Sequence, residues 1–209
     1  MRARRWAPVL ALLPCACLVG RSKEARTFVL DPLAAREAAS PTMAPSSVLG
    51  VTRVAVPGWI DRPQVTARGP AGEILTDDFS RWGEPIARGI QRVVAENLAA
   101  LLPDRRVLAL PAATPDAVDQ RLEITLVEAA RQTDGSVLVE ARWDVIGPGG
   151  TLALRRRSVH RAQDLAPGAA GAVAGASEAL AALCREIAAA LLALPPPERS
   201  EEAAVSGKP

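Results

Sequence analysis

The stretch SVLVEARWDVI, residues 136–146, decides the fold class. Val137, Val139, Ala141, Trp143 and Val145 alternate with Glu140, Arg142 and Asp144. An apolar residue at every second position falls on one side of a strand, so this segment belongs to a sheet with one buried and one wet face. The flanks extend the pattern. Thr133-Asp134-Gly135 is a turn signal, and before it residues 119–130 set Leu122, Ile124 and Leu126 on one face. Gly147-Pro148-Gly149-Gly150 turns the chain again into a third strand over 151–160. Three strands with short turns predict an antiparallel meander.

On either side of the meander the period changes from 2 to 3.6. Ile86, Ile90, Val93, Val94, Asn97, Leu98 and Leu101 form one stripe of a helix over 84–102, with Pro85 in its first turn and Pro103 beyond its end. Asp77-Asp78 and Glu84 sit where negative charge suits the helix N-terminus. An Ala-rich helix over 171–193 has Leu180, Leu183, Ile187, Leu191 and Leu194 as its stripe and stops at Pro195-Pro196-Pro197. Upstream, a strand at 27–30 ends at Asp31-Pro32, an Ala/Ser/Pro-rich connection covers 34–47, and a strand at 48–56 ends at Pro57-Gly58. A turn at 58–61, a strand at 64–68, a turn at 69–72 and a return over 73–76 read as a hairpin region. A strand at 106–110 and a linker at 111–118 complete the order. The reading is a single α+β domain over 27–194, a mainly antiparallel sheet packed against two amphipathic helices, followed by a disordered tail at 195–209.

The N-terminus carries an address. Arg2, Arg4 and Arg5 precede the apolar run Ala7 to Leu13, which ends at Cys15-Ala16-Cys17. A basic segment, a greasy segment and a cysteine form an export signal ending in a lipid-attachment site. Cys17 is the preferred lipidated residue because Ala16 precedes it; Cys15 is the alternative, with the cleavage-obstructing Pro14 before it. The signal peptide is then 1–16 and the tether 17–26. The run is shorter than the ~20 apolar residues a spanning helix needs. The later apolar segment, Ala169 to Leu194, is interrupted by Glu178, Arg185 and Glu186. Leu18 stands where Asp retains lipoproteins of enteric bacteria in the inner membrane, so the analogy points to the outer membrane, facing the periplasm.

Composition excludes several classes. The chain is 49% apolar but only 3% aromatic, without Tyr, so its core is built of Ala, Val, Leu and Ile. Its net charge is +2, and removal of Arg2, Arg4 and Arg5 with the signal brings it to −1, which offers no electrostatic basis for binding nucleic acid. Cys184 alone lies in the body of the chain and reads as a buried helix residue, not as part of a disulfide framework. The single histidine, His160, reads as a solvated strand residue. No G-x-S-x-G, Walker loop or G-x-G-x-x-G occurs, and the ligands for zinc are too few, so no enzyme activity, cofactor or metal is expected. Arg155-Arg156-Arg157 reads as a charged edge strand, with anionic lipid headgroups or an acidic partner as the sharper alternative. Trp59 and Trp82 both fall in connecting segments, where they either anchor an interface or plug the core.

Two strings carry a family resemblance. Val54 to Val65, VAVPGWIDRPQV, contains Trp59, Asp61, Arg62, Pro63 and Gln64; Phe79 to Ile86, FSRWGEPI, contains Arg81, Trp82, Glu84 and Pro85. Together with Thr27 to Pro32 and Val94 to Leu98, they resemble the PqiC/YmbA-like bacterial lipoproteins, auxiliary components of ABC-type transport. Gly83 departs from the pattern, which more often has Ala there. The resemblance implies a non-enzymatic lipoprotein at the outer membrane that docks to an MCE-domain tunnel protein of the inner membrane in a Pqi-like intermembrane lipid transport system. A homo-oligomer matching a ring-shaped partner is compatible with it. The motif residues would either contact the partner or lock the fold, with Glu84 paired to Arg81 or Arg62. The alternative is a periplasmic lipid carrier, with an acyl chain held between sheet and helices.

Overall fold

The sheet is organised around β6 (Gln120–Arg131), which pairs with three other strands and whose twelve residues make it the longest described in the computed structural model. The structure describes residues 24–33, 47–111, 118–163 and 165–195. The signal segment with Cys15 and Cys17, most of the tether, the connection at 34–46, the linker at 112–117 and the tail from 196 onward lie outside the described residues.

The predicted meander is present. β6 pairs antiparallel with β7 (Val137–Ile146), and β7 with β8 (Leu152–Ala162). Val137, Val139, Ala141, Trp143 and Val145 are all buried, as their alternation requires. β8 pairs only with β7 and is an edge. Two of its arginines are paired across the strands: Arg155 with Asp144 at 2.6 Å and Arg157 with Glu140 at 2.7 Å. This is the charged-edge arrangement that discourages further strand pairing. The Arg155 hydrogen bond holds the Asp144 carboxyl below the usual carboxylate range.

The other edge of β6 is shared by two strands, both parallel to it. β2 (Ser47–Val51) runs beside its start and β3 (Gln64–Arg68) beside its end, with a single bridge from Ala55 to Thr125 between them. β2 continues to β5 (Arg105–Ala109), also parallel; β3 continues to β4 (Ile74–Trp82), antiparallel, and β4 to β1 (Arg26–Phe28), parallel. The sheet is therefore mixed and largely antiparallel, and it forks at β6. The expected strand at 48–56 is the five residues of β2 plus the bridge at Ala55. The expected return at 73–76 is a nine-residue strand reaching Trp82, and Trp82 lies in it and not in a connection. Asp77 and Asp78 lie within this strand and not at a helix start.

Both helices cover the same face. α1 (Ile86–Leu101) buries the expected stripe and ends before Pro103. It starts at Ile86 with Pro85 as its cap, and no acidic residue occupies its first turn. α2 (Gly168–Ala193) starts three residues earlier than its stripe suggested. Leu180, Leu183, Cys184, Ile187 and Leu191 of α2 pack with Ile90, Val94 and Leu98 of α1 and with Trp143 and Leu122 of the sheet. Gly175 permits the close approach of α2 to β7: a Cβ there would overlap Leu165 and come within 2.7 Å of Val137. No helix among the described residues is long and apolar enough to cross a membrane.

Candidate functional site

The fork creates the candidate site. From Ala55, opposite Thr125, to Ala67, opposite Arg131, the chain spends twelve residues where β6 spends six. The surplus is extruded as residues 57–63. Pro57 caps this excursion from its start: its carbonyl accepts hydrogen bonds from the amides of Ile60 (2.9 Å) and Asp61 (3.0 Å). Ile60 points into the main core and is 2% exposed. Trp59 lies against Arg68, whose guanidinium sits 4.0 Å from the indole centroid and pairs with Glu128 at 2.6 Å. A stacked, ion-paired arginine fixes the loop from below.

The end of the first string and the start of the second face each other across one hairpin. Gln64 of β3 stands opposite Arg81 of β4. Gln64 Nε2 donates to Asp78 Oδ1 at 3.2 Å, Arg81 Nε donates to the Asp78 carbonyl at 3.0 Å, and the Trp82 amide donates to the Pro63 carbonyl at 2.7 Å. Asp77, read from sequence as a helix-dipole partner, instead accepts from the Phe79 amide at 3.0 Å and the Ser80 hydroxyl at 2.9 Å inside β4.

Beyond the end of β4 the strings enclose an open cleft of ≈ 410 Å³, lined by Asp61, Arg62, Pro63, Trp82, Glu84, Pro85 and their neighbours Gly83 and Ile86. Trp82, Pro63, Pro85 and Ile86 supply apolar walls, and the charged groups stand at the rim. Asp61 and Arg62 are exposed, and neither makes a side-chain hydrogen bond or ion pair among the described residues. Glu84 is committed elsewhere. Its Oε1 lies 2.8 Å from Arg92 Nη2, not on Arg81 or Arg62, and this hydrogen bond raises the already high pKa of Arg92. Arg92 also donates to the Leu30 carbonyl at 3.2 Å. Glu84 thus ties the cleft to the segment that follows β1.

Sequence reasoning missed Arg92. Its one signal was Gly89 inside a helical pattern: a Cβ there would stand 3.2 Å from Glu84 Oε1. Gly83, the departure from the family pattern, has a similar reason. Its amide donates to the Phe28 carbonyl at 2.7 Å, and a Cβ would press at 3.1 Å on both Thr27 and Val29. Asn97, fully buried on the α1 stripe, accepts from the Leu33 amide, and the Ser177 hydroxyl accepts from the Asp31 amide at 3.0 Å. The chain entering the domain is therefore held at four points, Phe28 and Leu30 through the cleft residues Gly83 and Glu84 with Arg92, Asp31 and Leu33 further along the helices.

A second polar cluster lies between β8 and α2. His160 is not solvated. Its Nε2 lies 3.0 Å from Glu186 Oε2, with the ring 22% exposed. Trp143 Nε1 donates to the Ser158 hydroxyl at 2.9 Å, which donates to Glu186 Oε1 at 2.8 Å. Ser158, His160 and Glu186 share a site, but the carboxylate sits between the other two. Nucleophilic catalysis needs the imidazole on the hydroxyl, so this arrangement pins β8 to α2. Cys184 is wholly buried, and burial pushes its thiol up to about 12, which makes it inert.

Comparison with known proteins bears on the fold and the family. The chain is similar in fold to the crystal structure of an uncharacterised protein, with TM-score 0.68 and 17% identity, covering 81% of this chain and 99% of that one. A Xanthomonas campestris protein of solved structure gives TM-score 0.62 and 18% identity over 80% of this chain and 95% of that one. No curated protein matches it by sequence. The profile of one family covers residues 28–188, from β1 through both halves of the cleft and most of α2. The chain belongs to that family, the ABC-type transport auxiliary lipoprotein components.

Proposed function

We propose that this protein is a non-enzymatic docking subunit, held by a lipid on Cys17 to the periplasmic face of the outer membrane, that receives an MCE-domain tunnel protein of the inner membrane in a Pqi-like lipid transport system. Family membership supports the transport-auxiliary role. One observation carries the docking reading. Two strings joined by one hairpin close around a single exposed, apolar-walled cleft in which Asp61 and Arg62 have no side-chain partner among the described residues. Interface anchors are characteristically aromatic or arginine side chains around an apolar pocket. Trp59, Gln64 and Arg81 act beneath it as supports, and Pro63 and Pro85 stiffen its walls. Several copies would surround a ring-shaped partner under its own symmetry.

The test is capture of the MCE protein from crosslinked envelopes by the wild-type chain, Trp82→Ala and the charge reversal Asp61→Lys. Capture should drop about tenfold or more in both variants, the scale of one hot-spot residue. Undiminished capture by both would remove the cleft from the interface. The carrier alternative draws no support from the space between α2 and the sheet, where Leu180, Leu183, Ile187, Leu191 and Trp143 are all 2% exposed or less and in contact.

A further inference from the structure

The described sheet ends at three strands, β1, β5 and β8. β8 carries Arg155, Arg156 and Arg157, all exposed, and β5 opens with Arg105 and Arg106. Charge on an edge deters a further strand. β1 has Arg26 at its start, but that guanidinium lies 5.3 Å from the Phe28 ring centroid. Past it the edge is uncharged, and Val29 is 50% exposed. The ladder fixes which backbone groups this edge leaves over. Phe28 stands opposite Trp82, and its carbonyl accepts from the Gly83 amide at 2.7 Å. The N–H and C=O of one strand residue point to the same side, and successive residues alternate. Phe28 therefore directs both groups to β4, and Thr27 and Val29 turn theirs outward. Both residues are exposed, and no described strand lies on that side. The Val29 amide and carbonyl make no hydrogen bond among the described residues.

After Val29 the chain turns from the sheet to the helices. Leu30 is buried and its carbonyl accepts from Arg92, while the Asp31 and Leu33 amides donate to Ser177 of α2 and Asn97 of α1. The edge also borders the cleft. Gly83 lines the cleft and lies so close to β1 that a Cβ on it would stand 3.1 Å from both Thr27 and Val29. A strand added to β1 would lie two strand spacings from β4, ~10 Å. About three extended residues cross that gap. An edge this short holds a strand only weakly by itself, so its use is to give direction and register to a chain that also reaches the cleft.

We propose that the outer edge of β1 pairs with an extended segment of the docking partner, through the backbone groups of Thr27 and Val29, while the same partner fills the neighbouring cleft. The inference rests on the docking reading of the cleft and supplies the form of the partner: a strand with free backbone N–H and C=O groups, continued by an apolar side chain against Trp82. Main-chain hydrogen bonds give such a contact its affinity, and the pocket beside it gives its specificity. A second copy of this chain, joined edge to edge, offers only the same few residues of pairing.

The complex of the full chain with the MCE-domain protein tests it. On binding, amide hydrogen exchange at Thr27 and Val29 should slow about tenfold or more, a readout that needs no variant. Val29→Pro removes one outward N–H and keeps the Phe28 pairing with β4, because proline is tolerated on the open side of an edge strand. Capture should fall several-fold with the unfolding midpoint unchanged. Val29→Thr keeps the N–H and should capture as the wild type does. Unchanged exchange at Val29, in a complex that Trp82→Ala still disrupts, overturns the strand pairing and leaves the docking cleft standing. No complex with the wild-type chain overturns both. Exchange at Val29 that slows with the concentration of this chain alone assigns the edge to a second copy and overturns the choice of partner.

Discussion

The β6–β8 meander with α2 and the β3–β4 arm with its extruded loop are built from similar residues to opposite ends. In the meander, side-chain pairs join strand to strand and strand to helix: Arg155 with Asp144, Arg157 with Glu140, Trp143 with Ser158, His160 with Glu186. In the arm the supports are paired too, Arg68 with Glu128 and Glu84 with Arg92, yet Asp61 and Arg62 are exposed with no side-chain partner among the described residues. Satisfied polar groups make a rigid scaffold. Groups left over on a loop that the scaffold holds still are available to a partner.

The comparison breaks first at the scaffold. Trp143→Ala should cost about 3–5 kcal/mol, the range for emptying a large aromatic site in a packed core, as measured by denaturant unfolding. A loss below 1 kcal/mol would mean that the meander does not carry the stability. Next is the seam between the regions. Asn97→Ala leaves the Leu33 amide without its buried acceptor and should cost about 1–3 kcal/mol. It should also speed proteolysis near Leu33 before global unfolding. A smaller effect is electrostatic. The Asp144 carboxyl titrates below its unfolded value, so its contribution is complete above the unfolded carboxylate pKa and is lost as pH falls through the depressed one. Asp144→Asn should therefore flatten the acid limb of the stability profile and leave its shape near neutrality unchanged. The smallest effect on stability sharpens the contrast: Asp61→Ala and Arg62→Ala should stay within about 0.5 kcal/mol of wild type while docking weakens. Marked destabilisation by either would show that they lock the fold after all.

Much of the scaffold was legible because local period and burial coincide in it. Val137 through Val145 alternate in sequence and are buried in alternation, and the stripes of both helices point inward as their spacing requires. β4 was only partly legible for the opposite reason. Leu75, Thr76, Asp78 and Phe79 are all exposed, so the strand offers no alternation to read. Asp77, Asp78 and Glu84 looked like helix-dipole residues because their neighbours along the chain suggested it. Their partners are Ser80, Gln64 and Arg92. His160 looked solvated on an arginine-rich strand because Glu186, its partner, is 26 residues away on α2.

The chain by itself determined the periods, and with them the meander, the two helices and the apolar interior, since side-chain direction in a helix or strand follows from backbone geometry alone. The two cleft strings were also visible in it as strings. Only the tertiary structure decided that β2 and β3 share one edge of β6, that the surplus chain between them is forced outward, and that the N-terminal strand lies beside the cleft at the end of the β3–β4 hairpin. Those facts depend on parallel pairings between distant segments, and no local pattern encodes which strands become neighbours.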